Sequence, residues 1–372
     1  MKIYNDICIK YLLLKRKSNR RNLPWVNKNI RREIKLKHKM WYKLCQNKNT
    51  DAKHSYKRQC RTVKKMLRDA KIQYECILAS KSKTDPKLIY SYIRGKMCVK
   101  EHVKAMRTAE NMITTNKDEV VEMLNNQFKS VFVREPDAHL PDFSRRTQTV
   151  LSADSILEVL NIEEIRKRLL KLDADKAVGA DGIHPAILKN CAASLSRPLL
   201  KIYVKSIQES VVPSDWKTAN ITPIFKSGSK LEAQNYRPIS LTSIVCKVME
   251  GIIRDVLMKY LTLNNLISKW QHGFVPKKCC TTNLLETLDL ITYELARGNC
   301  VDEILLDLAK AFDKVPHKRL LLKLRAYGFS DDILAWFKSF LTKRKQRVIL
   351  ADYKSEWAEV LSGVLCLVLY CS

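Results

Sequence analysis

A chain of 372 residues is long enough for two domains, and 46% hydrophobic residues can build a buried core, which excludes a wholly disordered protein. The formal net charge of +30 at pH 7 comes from 68 Lys and Arg against 38 Asp and Glu, and this excess repels itself unless a polyanion is nearby. The 12 cysteines form no CxxC or Cys/His pattern, so we expect neither a disulfide framework nor a structural zinc site.

The basic residues are concentrated at the start of the chain. Residues 1–100 carry 29 basic and 6 acidic side chains, a net +23. Such an arm suits contact with nucleic-acid phosphates, and a solvated, partly disordered basic tail is the alternative. From Trp25 to about Ser80 apolar residues recur every three to four positions without Pro or Gly, which predicts one or two long basic helices. The interleaved aromatic residues indicate either base stacking or the apolar face of an amphipathic helix: Trp41, Tyr42, Tyr56 and Tyr74.

The chain changes character after residue 133. Residues 114–132 begin with a Thr/Asn helix-start signal and place apolar residues on one face, which predicts a packed helix. The following stretch contains two prolines, mixed charge and no period, so we place an inter-domain linker at residues 134–155. A basic, mainly helical region, residues 1–133, precedes this linker, and a second domain, residues 156–364, follows it.

Helices and short strands follow the linker in irregular order. Asn161 and Glu164 predict the start of one helix, Pro185 starts another, and the segment NITPIF alternates like a strand. Later elements are a long helix after RPISL and, in chain order, a strand at 303–307, helices at 316–326 and 332–341, and strands near 347–351 and 357–361. Because no regular βαβ repeat is present, the predicted fold class is α+β.

The sequence carries no convincing export signal or membrane span. Its longest apolar run, GVLCLVLYC at residues 363–371, is far shorter than the roughly 20 residues that a spanning helix needs. We therefore expect an intracellular protein without a membrane partner.

The segment ILLDLAKAFDKVPH, residues 304–317, carries two carboxylates six residues apart, Asp307 and Asp313. Asp307 follows a short apolar run that is typical of a buried strand, whose end holds a carboxylate rigidly. Carboxylate oxygen is the ligand that Mg²⁺ prefers, and nucleotidyl transfer commonly uses two divalent ions. The spacing alone leaves open that both residues only cap and solvate a strand-to-helix turn.

Further motifs flank this segment in a fixed order. They are NYRPISLTSIVCKVMEGII at 235–253, QHGFVPKKCCTTNLL at 271–285, LLDLAKAFDKVPHKRLLLKLRAYGF at 305–329, and LTKRKQRVIL followed by SGV within 341–364. Together they resemble the reverse transcriptase of non-LTR, LINE-like retrotransposons of the jockey and CR1 type. The upstream DKAVGADGIHPAILK and VPSDWKTANITPIFKSGSK are similar to the fingers extension of that family. The basic LPWVNKNIRREIKLKHKMWYK is similar to the segment that joins an endonuclease to the polymerase in such elements.

The resemblance implies a right-hand polymerase with fingers from about residue 156 and a partial palm, preceded by the basic, mainly helical region. Asp307 matches the first palm aspartate, which makes it the implied catalytic and metal-binding residue. Phe312 matches an aromatic gate that excludes a ribonucleotide 2′-OH, while a core aromatic that anchors the helix is the structural alternative. Asp313 is expected to order the turn before Pro316 by capping or by pairing with a nearby Lys.

Basic residues match positions that contact the incoming nucleotide or the template in this family. Arg237 suits phosphate, with ion pairing inside the fingers as the alternative. Lys277 and Lys278 fall where the family has a basic residue, although VPKKCC departs from its commoner Arg- and Ser-rich wording. Gln271 and Phe274 match the same motif and are expected to be structural. A further cluster either lines the template path or forms a solvated loop: Lys343, Arg344, Lys345 and Arg347.

The implied activity is RNA-directed DNA polymerisation, in which deoxynucleoside triphosphates are added to a DNA primer 3′-OH on an RNA template with Mg²⁺ or Mn²⁺. The family's second aspartate motif does not follow Asp307, because the similarity stops at residue 364 and residues 365–372 read as an aberrant tail. We therefore expect a truncated, inactive chain with an incomplete active site. A non-catalytic nucleic-acid-binding remnant of a mobile element is the alternative.

Overall fold

A computed structural model describes residues 23–46, 50–82, 84–85, 88–90, 92–93, 103–135 and 140–364. The chain divides into two compact units, residues 1–101 and residues 102–372. The predicted tail at 365–372 lies outside the described residues. Within the described part, no helix combines the length and the apolar character that crossing a membrane requires.

Two helices form the described core of the first unit, α1 (Lys28–Gln46) and α2 (Thr50–Ser82). They run antiparallel, because the ring of Trp41 lies 5.1 Å from that of Tyr56 at one end and Gln59 Nε2 donates to the Glu33 carboxylate at 2.7 Å further along. Val63 is buried in the seam between them. α1 and α2 lie in the stretch for which one or two long basic helices were predicted, and Trp41 and Tyr56 contribute to the pairing of the two helices.

The second unit begins with a short hairpin, β1 (Met106–Arg107) and β2 (Ile113–Thr114), and helix α3 (Lys117–Lys129). Asn116 caps α3 by accepting from the amide of Asp118, and the predicted helix at 114–132 is confirmed. The remaining helices are α4 (Ala153–Leu157), α5 (Ile162–Leu170), α6 (Pro185–Asn190), α7 (Ala192–Gln208), α8 (Ile244–Leu263), α9 (Cys280–Ala296), α10 (His317–Ala326) and α11 (Asp331–Leu341).

A mixed sheet organises this unit. Its strands are β3 (Thr218–Phe225), β4 (Tyr236–Leu241), β5 (Arg344–Leu350), β6 (Tyr353–Lys354) and β7 (Ala358–Val360). β3 lies between β4, which is antiparallel to it, and β5, which is parallel, while β6 and β7 both pair with β5. One face of the sheet packs on α3 through Ile221, Tyr236 and Val348, which leaves the other face open.

A second core is built almost entirely from helices. The buried faces of α5, α7, α8, α10 and α11 meet there, and Tyr203 on α7 donates its hydroxyl to the Val245 carbonyl at the start of α8. Side chains without exposed area include Tyr203, Ile252 and Phe340. Because α8 directly follows β4, this core fixes the direction in which β4 leaves the sheet.

Most predicted elements are present, with small changes in their ends. Asn161 caps α5 through the amide of Glu164 at 2.8 Å, and Pro185 starts a helix that ends at Asn190, where a second helix begins two residues later. The predicted boundary at 134–155 falls inside the second unit, because α3 belongs to its sheet core.

The strand predicted at 303–307 is wrong for the described chain. Residues 301–308 have no regular secondary structure, and the side chains of Ile304, Leu305 and Leu306 are 82%, 83% and 88% exposed. An apolar run becomes a strand only when its backbone groups find a neighbouring strand to bond, and none of the described strands pairs with it.

Candidate functional site

The turn that carries Phe312 and Asp313 is held by the segment Ser362–Val364. The Val364 amide donates to the Phe312 carbonyl at 3.0 Å, the Gly363 amide to the Val315 carbonyl at 2.9 Å, and the Ser362 hydroxyl to the Asp313 carbonyl at 2.7 Å. We call residues 362–364 the clamp. Gly363 has a φ of +93°, and a Cβ there would lie 3.0 Å from the carbonyl oxygens of Phe312 and Asp313, so any other residue at this position would be strained.

His317 closes the clamp from the first residue of α10. Its Nε2 lies 2.8 Å from the Gly363 carbonyl oxygen. Burial lowers the pKa of His317, and the hydrogen bond to Gly363 opposes this effect only in part. Asp313 takes part in the turn through its main chain, with its amide donating to the Lys310 carbonyl at 3.0 Å. Burial raises the pKa of the Asp313 carboxyl, while the Lys310 ammonium acts against the rise.

Asp307 lies at the end of the exposed segment 301–308, five residues before Phe312. Its carboxylate is a hard oxygen donor that faces solvent and suits a divalent cation. Within the described ranges, however, no three His, Cys, Asp or Glu residues are grouped closely enough to hold an ion. Asp307 is therefore an exposed carboxylate without two further His, Cys, Asp or Glu residues grouped around it in the described part of the chain.

The Phe312 ring contacts the loop at residues 271–278, which we call the QHGF loop. This ring lies edge-on to that of Phe274, with centroids 5.9 Å apart and planes at 83°, and both side chains are about half exposed. The loop of Phe274 is tightly turned, since Phe274 and Lys277 both have positive φ values, 62° and 65°. Lys277 is exposed, whereas the ammonium of Lys278 donates to the Lys269 carbonyl. Gln271 lies in the same loop.

His272 is a residue of this loop that the sequence did not single out. It is 7% exposed, with Nδ1 2.9 Å from the Thr282 hydroxyl and Nε2 2.8 Å from the Glu286 carboxylate. Both partners lie on α9, so His272 ties the QHGF loop to that helix. Its spacing from Thr282 and Glu286, 10 and 14 residues, has no helical or strand period, which is why no pattern revealed it.

The open face of the sheet carries arginines and an aromatic ring. Arg237 on β4 and Arg347 on β5 both point to this face, and strand spacing puts their Cα atoms about 16 Å apart. Arg347 donates from Nε to Asn220 at 3.0 Å, and its guanidinium lies 4.4 Å from the ring centroid of Trp357. A guanidinium fixed in this way retains donors for phosphate beside an exposed aromatic surface.

Arg344 requires a correction to the predicted basic cluster. It is only 6% exposed, donates to the Phe340 carbonyl at 3.0 Å and stacks 4.9 Å from the Phe340 ring centroid. Side chains alternate along a strand, so Arg344 faces inward on β5 while Lys345 faces solvent. Lys343 and Lys345 are exposed and stay available, whereas Arg344 neutralises the interior near Glu250, whose pKa is raised by burial.

An open groove of about 540 Å³ borders the segment that follows Asp307. Apolar side chains and three cations line it: Phe143, Leu308, Lys314, Leu320, Arg319 and Lys323. The groove, the clamped turn and the open sheet face all belong to the second unit.

Residues 224–364 match the family model for reverse transcriptase (RNA-dependent DNA polymerase). This segment contains the whole of the clamp, the Phe312 turn, the QHGF loop, β4 and β5. Residues 224–364 thus carry a reverse transcriptase domain. In the first unit, residues 26–83 match the family model for the C-terminal domain of the female sterile protein K10. This match covers α1 and α2.

Curated relatives support the assignment of the reverse transcriptase domain. The RNA-directed DNA polymerase from mobile element jockey of Drosophila melanogaster is 27% identical over 209 residues, 56% of this chain and 23% of the relative. Its counterpart from Drosophila funebris is 25% identical over 242 residues, 65% of this chain and 26% of the relative. A third relative, "Probable RNA-directed DNA polymerase from transposon BS" of Drosophila melanogaster, is 27% identical over 199 residues, which is 53% of this chain and 22% of the relative. The chain thus spans about a quarter of the length of these relatives.

Proposed function

We propose that this domain takes part in RNA-directed DNA synthesis, adding deoxynucleoside triphosphates to a DNA primer on an RNA template. The observation that carries the proposal is the continuous family match over residues 224–364, which includes Asp307 and Phe312. The similarity of the chain to RNA-directed DNA polymerases of mobile elements supports the same activity.

The open sheet face supports a role in holding the template–primer. Arg347 supplies a cation held by Asn220 and Trp357, and the exposed Arg237 and Lys345 supply two more. Trp357 offers a ring surface beside them, and aromatic stacking contributes about 1–3 kcal/mol per base in single-strand complexes. In this proposal the sheet face contacts phosphates and bases, and Lys343 extends it at the start of β5. Lys277 and Lys278 contact the incoming nucleotide or the template from the QHGF loop.

The Phe312 turn would face the incoming nucleotide. Asp307 would be one carboxylate ligand of a divalent ion, Mg²⁺ or Mn²⁺, which supplies positive charge to the triphosphate when bound. The Phe312 ring, supported at its edge by Phe274, would occupy the space of a ribose 2′-OH. The clamp holds the backbone of this turn, so the position of the ring depends on Gly363.

Primer extension on an RNA template with the purified full chain tests the proposal. We expect little incorporation of deoxynucleotides by the chain alone, because the described residues group no complete set of metal ligands. Any incorporation that is present should fall at least a hundredfold in Asp307→Asn, since charge stabilisation at such sites is worth about 3–4 kcal/mol. Phe312→Ala should raise the use of ribonucleotides relative to deoxynucleotides. Extension that is unchanged by Asp307→Asn would refute the role of Asp307.

A non-catalytic role in binding nucleic acid is the second candidate. It is favoured by the cationic sheet face and by the lack of a complete ligand group for a metal among the described residues. In this case, template–primer binding should weaken on Arg237→Ala and Arg347→Ala while no extension occurs with any variant. Binding without extension therefore selects this candidate over the polymerase.

A further inference from the structure

The first unit has a stripe of cations along α2. Five exposed basic residues repeat every three or four positions from residue 53 to residue 68, so they lie along one side of the helix. They are Lys53, Lys57, Arg61, Lys64 and Arg68. We call these five residues the α2 stripe. At 1.5 Å per residue it is about 23 Å long.

The pairing of the two helices explains why these cations face outward. Val63 and Gln59 lie in the seam with α1, at 4% and 9% exposure, and their helical positions are turned away from the α2 stripe. Glu33, the acidic residue of α1, is held in this seam by Gln59 at 2.7 Å. The seam between α1 and α2 therefore buries Val63 and holds the Glu33 carboxylate, whereas the cations of the α2 stripe lie on the solvent-exposed side of α2.

Little negative charge lies along the α2 stripe. Residues 52–68 contain no Asp or Glu. Among the described residues, the α2 stripe forms an ion pair with Asp69, whose carboxylate lies 3.4 Å from the Arg68 guanidinium. The side chains of Arg68 and Asp69 are both more than half exposed. Exposed pairs of this kind contribute about 0–1 kcal/mol, so they neutralise the stripe weakly.

We infer that the α2 stripe binds the phosphodiester backbone of a nucleic acid, independently of the reverse transcriptase domain. A linear polyanion matches a linear row of cations, and a row of about 23 Å spans roughly seven nucleotide steps at 3.4 Å per step. An acidic polypeptide also offers negative charge, but at lower and less regular density. RNA and DNA share this backbone chemistry, and the experiment distinguishes them.

The test measures binding of the full chain to single- and double-stranded RNA and DNA of equal length, over a range of salt concentrations. The stripe variant replaces Lys53, Lys57, Arg61 and Lys64 with Gln, which keeps helix propensity and lowers the net charge from +30 to +26. The matched control makes the same charge change on exposed helical cations of the second unit: Arg197, Lys201, Lys205 and Lys259. Circular dichroism checks that helix content is unchanged.

We expect the stripe variant to flatten the slope of log K against log salt by about 3–4 for duplexes and about 3 for single strands. Affinity at 100 mM salt should fall at least tenfold, and the control should stay within about threefold of the unsubstituted chain. An equal effect in the control, or no effect in the stripe variant, overturns the inference, as does competition by polyglutamate at equal charge concentration. Arg237→Ala with Arg347→Ala probes the sheet face separately, so failure there leaves the stripe result intact.

Discussion

The clamp at Gly363 allows a prediction in which two separate costs can be read from the structure. Gly363→Ala must place a side chain at a φ of +93°, and its Cβ would lie 3.0 Å from two carbonyl oxygens and 3.1 Å from the Asp313 Cα. The backbone conformation costs about 1–3 kcal/mol for a residue other than glycine, and crowding against backbone adds about 1 kcal/mol or more. We expect a total loss of about 2–4 kcal/mol.

Two other glycines separate these costs. Gly182 has a φ of +74° with open space around its Cβ position, so Gly182→Ala carries the backbone cost alone, about 1–2 kcal/mol. Gly273 has neither a positive φ nor a near neighbour, so Gly273→Ala should lie within about 0.5 kcal/mol of the unsubstituted chain. Urea unfolding followed by tryptophan fluorescence, to which the buried Trp216 and Trp336 of the second unit contribute, measures these losses.

Amide hydrogen exchange measures the effect of the same variants on the clamp and the Phe312 turn themselves. The clamp forms four hydrogen bonds with residues 312–317, two of them donated by clamp amides, so Gly363→Ala should speed exchange in peptides covering residues 312–317 and 362–364. Gly182→Ala should leave those peptides unchanged. If Gly363→Ala matches Gly182→Ala in both stability and exchange, the clamp does not hold the turn and the reasoning fails.

Further predictions concern single side chains of the second unit. Because the pKa of His317 is lowered in the folded chain, its contribution to stability is fully present above the ordinary histidine pKa of about 6.5 and is lost as pH falls toward the folded-state pKa. His317→Gln should remove this acid dependence, which is measured as the difference between urea midpoints at pH 7.5 and 5.5. An unchanged difference would contradict the role of His317. Arg344→Met should lower the free energy of unfolding by about 2 kcal/mol, because the Phe340 carbonyl loses its donor and the Phe340 ring loses its cation. Lys345→Met should lower it by less than about 0.5 kcal/mol. Equal losses of stability would place both residues at the surface. Leu306→Ser should leave stability within about 0.5 kcal/mol and reduce binding of a hydrophobic dye, and a loss above 2 kcal/mol would show that Leu306 is buried.

Periodicity explains which elements could be predicted from sequence. α1, α2 and α3 carry apolar residues at three- to four-residue steps, and local caps such as Asn116 and Asn161 mark where helices start. These signals depend on residues close in sequence. The α+β class follows from the order of such elements.

Tertiary contacts explain what sequence patterns missed. The run KRKQR is basic at four of its five positions, but strand alternation buries Arg344 and exposes Lys345. The position of β5 in the sheet decides which of its two faces is buried. His272 joins a loop to partners 10 and 14 residues away, a contact that no local period encodes. Burial is therefore the property that these local sequence patterns did not predict.

The segment before Asp307 shows why the site depends on more than its own residues. Burying Ile304, Leu305 and Leu306 would contribute about 1.5–3 kcal/mol each, whereas fixing the backbone of five residues costs about 1–2 kcal/mol per residue. The two sums are of similar size, so the segment is close to balance between the exposed form and an ordered strand. A surface that covers these three side chains would therefore also fix Asp307, and the carboxylate would owe its rigidity to that contact rather than to the apolar run.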